Sequence, residues 1–148
     1  MASTVTAATA TVQIVESLTL GNVDRGGSHT RTITNVAEAD RRVMTISTTG
    51  NSVLDLNSAN GRGEFVRSAV KYIRITNLDD TNWLQIQFRK TAAEVCDLRI
   101  EPGATFMLSS GVMFAAASGS FTSFVDIYSI SAQADTADVD IELVVLAV

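Results

Sequence analysis

Apolar and polar residues alternate through much of this chain, and the clearest run is Val70–Phe88, VKYIRITNLDDTNWLQIQF. In its first arm Val70, Tyr72, Arg74 and Thr76 share one face, and Lys71, Ile73 and Ile75 share the other. In its second arm Leu84, Ile86 and Phe88 lie opposite Trp83, Gln85, Gln87 and Arg89. Side chains of a strand point alternately to the two faces of its sheet, so a period of two predicts half-buried β-strands. Asn77, Asp79, Asp80 and Asn82 stand between the arms. Their short side chains bond nearby backbone and favour turns. The stretch therefore reads as a central hairpin.

The same reading extends in both directions. Met1–Thr11, MASTVTAATAT, is small and nearly uncharged, with too little apolar area to order itself; it is expected to be a flexible arm, residues 1–11, ahead of a single domain, residues 12–148. Thr11–Leu20 places Val12, Ile14, Leu18 and Leu20 at even positions and predicts a strand. Gly21–Ser28 predicts a loop, His29–Val36 a Thr-rich strand, Ala37–Asp40 a turn and Arg42–Thr48 another strand. Ser52–Leu56 predicts a short strand and Asn57–Gly63 an exposed loop. Beyond the central stretch, Arg89–Glu94 reads as a connection, and Val95–Glu101, Thr105–Ser109, Val112–Ala117, Phe121–Ala132 and Val139–Ala147 read as strands. Turns are expected at Pro102–Gly103, Gly119–Ser120 and Asp135–Asp138. The last strand is apolar on both faces once Val144 and Leu146 are reached. Its end is expected to be buried between layers or against another subunit. Many short strands, frequent turns and no helical stripe predict an all-β fold, an antiparallel sandwich or barrel.

Composition narrows the function. The chain has 148 residues, 46% of them hydrophobic and 18% charged, which suits one globular domain. Its net charge of −5 speaks against a general nucleic-acid binder, which needs a basic surface to displace counterions from phosphates. Cys96 is the only cysteine, so no internal disulfide forms. Residues 1–12 have neither a basic segment nor an apolar core, so no signal peptide is expected. No apolar run approaches the roughly 20 residues of a membrane-spanning helix.

The residue types carry little catalytic chemistry. His29 is the sole histidine and reads as an ordinary strand residue. Cys96 shares a face with Leu98 and Ile100 and reads as a buried, inert thiol. The acidic turns at Asp79–Asp80 and Asp135–Asp140 lack the spacing of a calcium loop and read as solvated turns. Gly61–Arg62–Gly63 and Arg25–Gly26–Gly27 lack the lysine and helix of a phosphate loop. No metal or cofactor is expected, and no enzymatic activity. Trp83 and Arg89 share a strand face, where they form either a stacked, solvent-facing pair or an interface anchor; packing at a sandwich edge is the plainer reading. The candidate interface positions are Val5, Val12, Ile14, Trp83, Arg89, Val144 and Leu146.

Three segments, Tyr72–Phe88 (YIRITNLDDTNWLQIQF), Leu98–Leu108 (LRIEPGATFML) and Ser131–Val145 (SAQADTADVDIELVV), resemble small virion proteins of tailed bacteriophages. The shared features are an Ile-Thr-Asn strand, a Pro-Gly turn after Leu-x-Ile, and an Ala-Asp-Thr turn feeding the last strand. The likeness covers Val70–Val145 and rests on structural turns, so it brings no catalytic residues with it. It implies a jelly-roll-like antiparallel β-sandwich with an extended N-terminal arm. It also implies a capsid decoration or cement protein on the virion surface, made in the host cytoplasm. Its expected partners are the major capsid protein and itself, as a homotrimer at capsomer junctions, with no membrane and no direct nucleic-acid contact. A head–tail connector, tail or baseplate component is the alternative. A carbohydrate-binding module, with Trp83 in a groove, is a third reading.

Overall fold

A computed structural model describes residues 6–57, 65–90, 95–110, 114–115 and 125–148. Every regular element among them is a β-strand. The chain divides into two compact units, Met1–Ala37 with Val148, and Glu38–Ala147.

In the first unit, β1 (Ala8–Glu16) pairs antiparallel with β4 (Gly27–Val36), opposing Thr11 to Thr32 and Glu16 to Gly27. Residues 8–11 of the expected arm therefore belong to a strand; residues 1–5 lie outside the described residues. The expected loop Gly21–Ser28 is instead a continuation of this ribbon. Two short strands, β2 (Thr19–Leu20) and β3 (Val23–Asp24), pair across a turn at Gly21 and Asn22, whose φ angles are 58° and 62°. Two successive positive φ values match the twist of the flanking strands, and Gly and Asn adopt them at least cost. The Arg25 N–H donates to the Leu18 carbonyl at 2.8 Å, and the Gly26 N–H to Asp24 Oδ1 at 2.8 Å. Gly26 is a packing requirement: a Cβ there would sit 2.5 Å from the Glu16 carbonyl oxygen.

The second unit is two packed sheets. Its strands are β5 (Glu38–Ile46), β6 (Asn51–Asn57), β7 (Phe65–Val66), β8 (Val70–Asn77), β9 (Leu84–Arg89), β10 (Val95–Ile100), β11 (Thr105–Ser109), β12 (Phe114–Ala115), β13 (Val125–Asp126), β14 (Ser129–Ala134) and β15 (Val139–Ala147). One sheet has the order β11-β8-β15-β5 and the other β10-β9-β14-β6-β7. All pairings are antiparallel except β6 with β7. β12 and β13 form a small separate pair. The expected strands 112–117 and 121–132 and the loops 57–63 and 89–94 fall partly outside the described residues, and the turn 119–120 lies wholly outside them.

The core lies between the sheets. Ile73, Ile75, Ile141, Leu143 and Val145 from one sheet meet Leu54, Leu84, Ile86, Ile130 and Ala132 from the other. The alternation of β15 is complete: Val139, Ile141, Leu143, Val145 and Ala147 are buried, while Val144 and Leu146 are half-buried on the opposite face.

Several expectations are corrected. The two arms of Val70–Phe88 do not pair with each other. β8 lies between β11 and β15, and β9 lies between β10 and β14. Both arms have a strongly apolar face, and these faces meet across the core rather than side by side, so Leu78–Trp83 crosses between sheets. Val70 does not follow the Tyr72 face. The register of β15 shifts so that Leu146 opposes Tyr72 and Ala147 opposes Val70, which leaves Lys71 as the extra residue of a bulge. A bulge reverses the facing of what precedes it, and Val70 is fully buried. Glu38–Asp40 is strand, not turn; only Ala37 separates β4 from β5, following Asn35 at φ 60°. The long strand expected to end at Ala132 is interrupted at Ile127–Tyr128. There Tyr128 N–H donates to the Arg89 carbonyl and Tyr128 C=O accepts from Leu56.

Candidate interaction surfaces

The crossing Leu78–Trp83 is built by side chains that replace backbone pairing. Asn77 is fully buried. Its Nδ2 donates to the Asn82 carbonyl at 2.9 Å and to the Ile100 carbonyl at 3.4 Å, and its Oδ1 accepts the Asp79 N–H at 2.9 Å. Asp79 Oδ1 accepts the N–H groups of Thr81 and Asn82. These backbone donors hold the Asp79 carboxyl below its ordinary range. The acidic turn is thus a folding device. Among the described residues no group of His, Cys, Asp or Glu is placed to hold a metal ion.

The outer face of the four-stranded sheet carries an ion-pair network. Arg41 contacts Glu142 Oε1 at 2.7–2.8 Å, and Arg74 donates to Glu142 Oε2. The Arg41 hydrogen bond, aided by both guanidinium charges, lowers the Glu142 carboxyl from its ordinary range against the effect of burial. Val144 opposes Arg41 and Arg74 across the ladders, and Leu146 opposes Ala39 and Tyr72.

The outer face of the five-stranded sheet is polar. Register sets two rows across it. One runs Asp97–Gln87–Ser131–Ser52 and the other Arg99–Gln85–Gln133. Gln87 Nε2 donates to Asp97 Oδ1 at 2.7 Å, and Arg89 Nε donates to Gln87 Oε1. Gln85, Gln87, Ser131, Gln133 and Ser52 of these rows line an open depression of about 370 Å³. Trp83 and Arg89 do share this face, as expected, but they do not stack on each other. The guanidinium over the Trp83 ring is that of Arg99, 4.6 Å from the centroid.

The N-terminal ribbon carries a set of solvent-exposed apolar side chains. Val15 is 69% exposed and Leu20 65%, and Ile14, Leu18 and Val23 are also exposed. Val12 is half-buried. Val5 lies outside the described residues.

The candidate positions therefore do not form one patch. Trp83 and Arg89 lie on one sheet of the second unit, Val144 and Leu146 on the other, and Val12 and Ile14 in the first unit. Sequence reasoning missed Val15, Leu18, Leu20 and Val23 as an exposed set. Their signal was present in Gly21–Asn22, a turn-forming pair with Leu20 and Val23 directly on either side. Cys96 is half-buried against the core and free. His29 is exposed on β4, opposite Ile14. Comparison of the chain with protein-family models, with curated proteins and with solved structures found no match.

Proposed function

We propose that this chain is a non-enzymatic virion structural protein of a tailed bacteriophage, a capsid decoration or cement protein that binds the outer shell. The observation that carries the reading is the N-terminal ribbon. It is a two-stranded sheet, so β1 and β4 each have a backbone edge without a strand neighbour among the described residues. Its far end leaves Leu18, Leu20 and Val23 in solvent. Isolated two-stranded ribbons are marginal in water, and free strand edges beside apolar side chains are a surface for joining another chain. Such a ribbon gains stability by docking on a shell subunit or a second copy of itself, and a homotrimer at capsomer junctions satisfies both.

The jelly-roll reading is part of this proposal. Its support is the nesting of four antiparallel pairs: β5 with β15, β6 with β14, β8 with β11, and β9 with β10. Successive outer pairs fall in alternate sheets, as they do when a long antiparallel ribbon is rolled up. The net charge of −5 suits docking on basic shell patches and avoidance of packaged DNA.

A cement protein that binds only the assembled lattice stabilises it by mass action. Particles lacking the chain should lose their genome at lower temperature, and adding back the purified chain should restore them. Leu18→Ser with Leu20→Ser should abolish that rescue without unfolding the sandwich. Mass-spectrometric counting should find a copy number comparable with that of the shell subunit. A handful of copies per particle would instead indicate a connector, tail or baseplate component.

A further inference from the structure

The depression on the five-stranded sheet lies within one unit and is lined by amides and hydroxyls, with Gln85, Gln87, Arg89, Asn51, Ser131 and Gln133 as its principal polar groups. We infer that it is a binding site for a neutral, hydroxyl-rich ligand, a short saccharide. This goes beyond the shell-binding role and does not depend on it.

Three observations carry the inference. The first is pre-organisation. Gln87 is held at both ends, by Asp97 and by Arg89. Gln133 is anchored through Nε2 to the Thr48 carbonyl at 2.8 Å, which leaves its Oε1 as an acceptor. Asn51 Oδ1 accepts from the Ser47 N–H and hydroxyl, which leaves its Nδ2 as a donor. Side chains already fixed lose little entropy on binding.

The second is the balance of donors and acceptors. A sugar hydroxyl both donates and accepts, and so does each carboxamide and serine hydroxyl here. Gln85 and Ser131 make no side-chain hydrogen bond with any described residue, and they sit side by side with Gln133 and Gln87 across the β9–β14 ladder. These are polar groups facing a concavity with capacity to spare.

The third is what the lining lacks. Among the described residues of the lining Arg89 alone is charged, whereas a phosphate or polyanion site gathers several cations. Ala132 lines it but turns its side chain into the core, and no other described apolar residue lines it, so an apolar ligand has no wall to pack against. The volume lies at the lower end of the range for small-ligand pockets, about 300–1,000 Å³. Trp83, two residues beyond Gln85 on the same face, offers an aromatic surface at the end of the row, braced by Arg99.

The test is an array of short neutral oligosaccharides built from hexoses and N-acetylhexosamines, with sulfated heparin fragments as the anionic arm, probed with the full chain. The best neutral binder is then titrated calorimetrically. Gln85→Ala and Gln87→Ala should each weaken it about five- to tenfold, the effect of losing one or two hydrogen bonds. Gln85→Ala removes no side-chain bond to any described residue, so its circular dichroism and melting should match the wild type. The inference is overturned if no neutral oligosaccharide binds or if Gln85→Ala binds as tightly as wild type. Binding confined to heparin fragments and lost on Arg89→Ala would also overturn it, because that is an anion site.

Discussion

Asn77 offers a sharp test of how the two sheets are joined. It ends β8 with its side chain fully buried, and three hydrogen bonds tie it to the Asn82 and Ile100 carbonyls and the Asp79 N–H. Asn77→Ala removes all three. At about 0.5–1.5 kcal/mol net for each of the three bonds, the substitution should cost roughly 2–4 kcal/mol. For a chain of this size that lowers the melting temperature by about 5–15 °C. Asn77→Asp keeps the size and the acceptor for Asp79 but turns an oxygen toward the two carbonyls. The buried carboxylate is disfavoured, so the folded-state pKa of the new acid lies above its unfolded value. A raised folded pKa means that the folded state binds more protons, so stability falls as pH rises. The deficit of Asn77→Asp against wild type should therefore be smallest at acid pH and reach its full size above the raised pKa. Urea titrations followed by Trp83 fluorescence and far-UV circular dichroism, repeated across pH, measure both effects. A loss below about 1 kcal/mol for Asn77→Ala would show that these bonds do not hold the crossing together. A deficit for Asn77→Asp that does not change with pH would show that position 77 does not face the carbonyls.

Other substitutions separate core, surface and ribbon. Ile86, fully buried between the sheets, should lose about 2–5 kcal/mol on Ile86→Ala, whereas Val43→Ala, at a position 63% exposed, should stay within about 0.5 kcal/mol, both read from denaturation midpoints. The lowered pKa of Glu142 gives stability that is present above the ordinary glutamate range and lost as pH falls through the lowered value. Glu142→Gln should flatten the acid limb of the stability profile, and an unchanged limb would remove the Arg41–Glu142–Arg74 network from the account. Gly26→Ala should disturb ribbon pairing, seen as faster amide exchange around Glu16, because its Cβ meets the Glu16 carbonyl. Gly27→Ala, where a Cβ meets nothing within 4 Å, should leave the exchange unchanged.

Much of the second unit could be read from the chain alone. β11 and β15 begin and end where the alternation of Thr105–Ser109 and Val139–Ala147 places them. The inward faces of β8 and β9, with Ile73, Ile75, Leu84, Ile86 and Phe88, follow from the same period. The reason is local: a strand between solvent and a core must alternate, and alternation is written residue by residue. Gly21 and Asn22 marked a chain reversal, but the pairing of the short strands on either side of them was not legible.

Partnership was decided only in three dimensions. Nothing in the β8–β9 run distinguishes arms that pair with each other from arms that face across a core, because both arrangements bury the same side chains. The choice came from distant strands, β11 and β15 beside β8, and β10 and β14 beside β9. The bulge at Lys71 likewise depends on the register of β15, which lies far along the sequence, and it is invisible in the pattern of β8 itself. The polar depression shows the same division. The sequence alone put Gln85, Gln87 and Arg89 on one strand face, but Ser131 and Gln133 joined them only through the β9–β14 ladder. Alternation sets which way each side chain points, and long-range hydrogen-bonded pairing sets what it points beside.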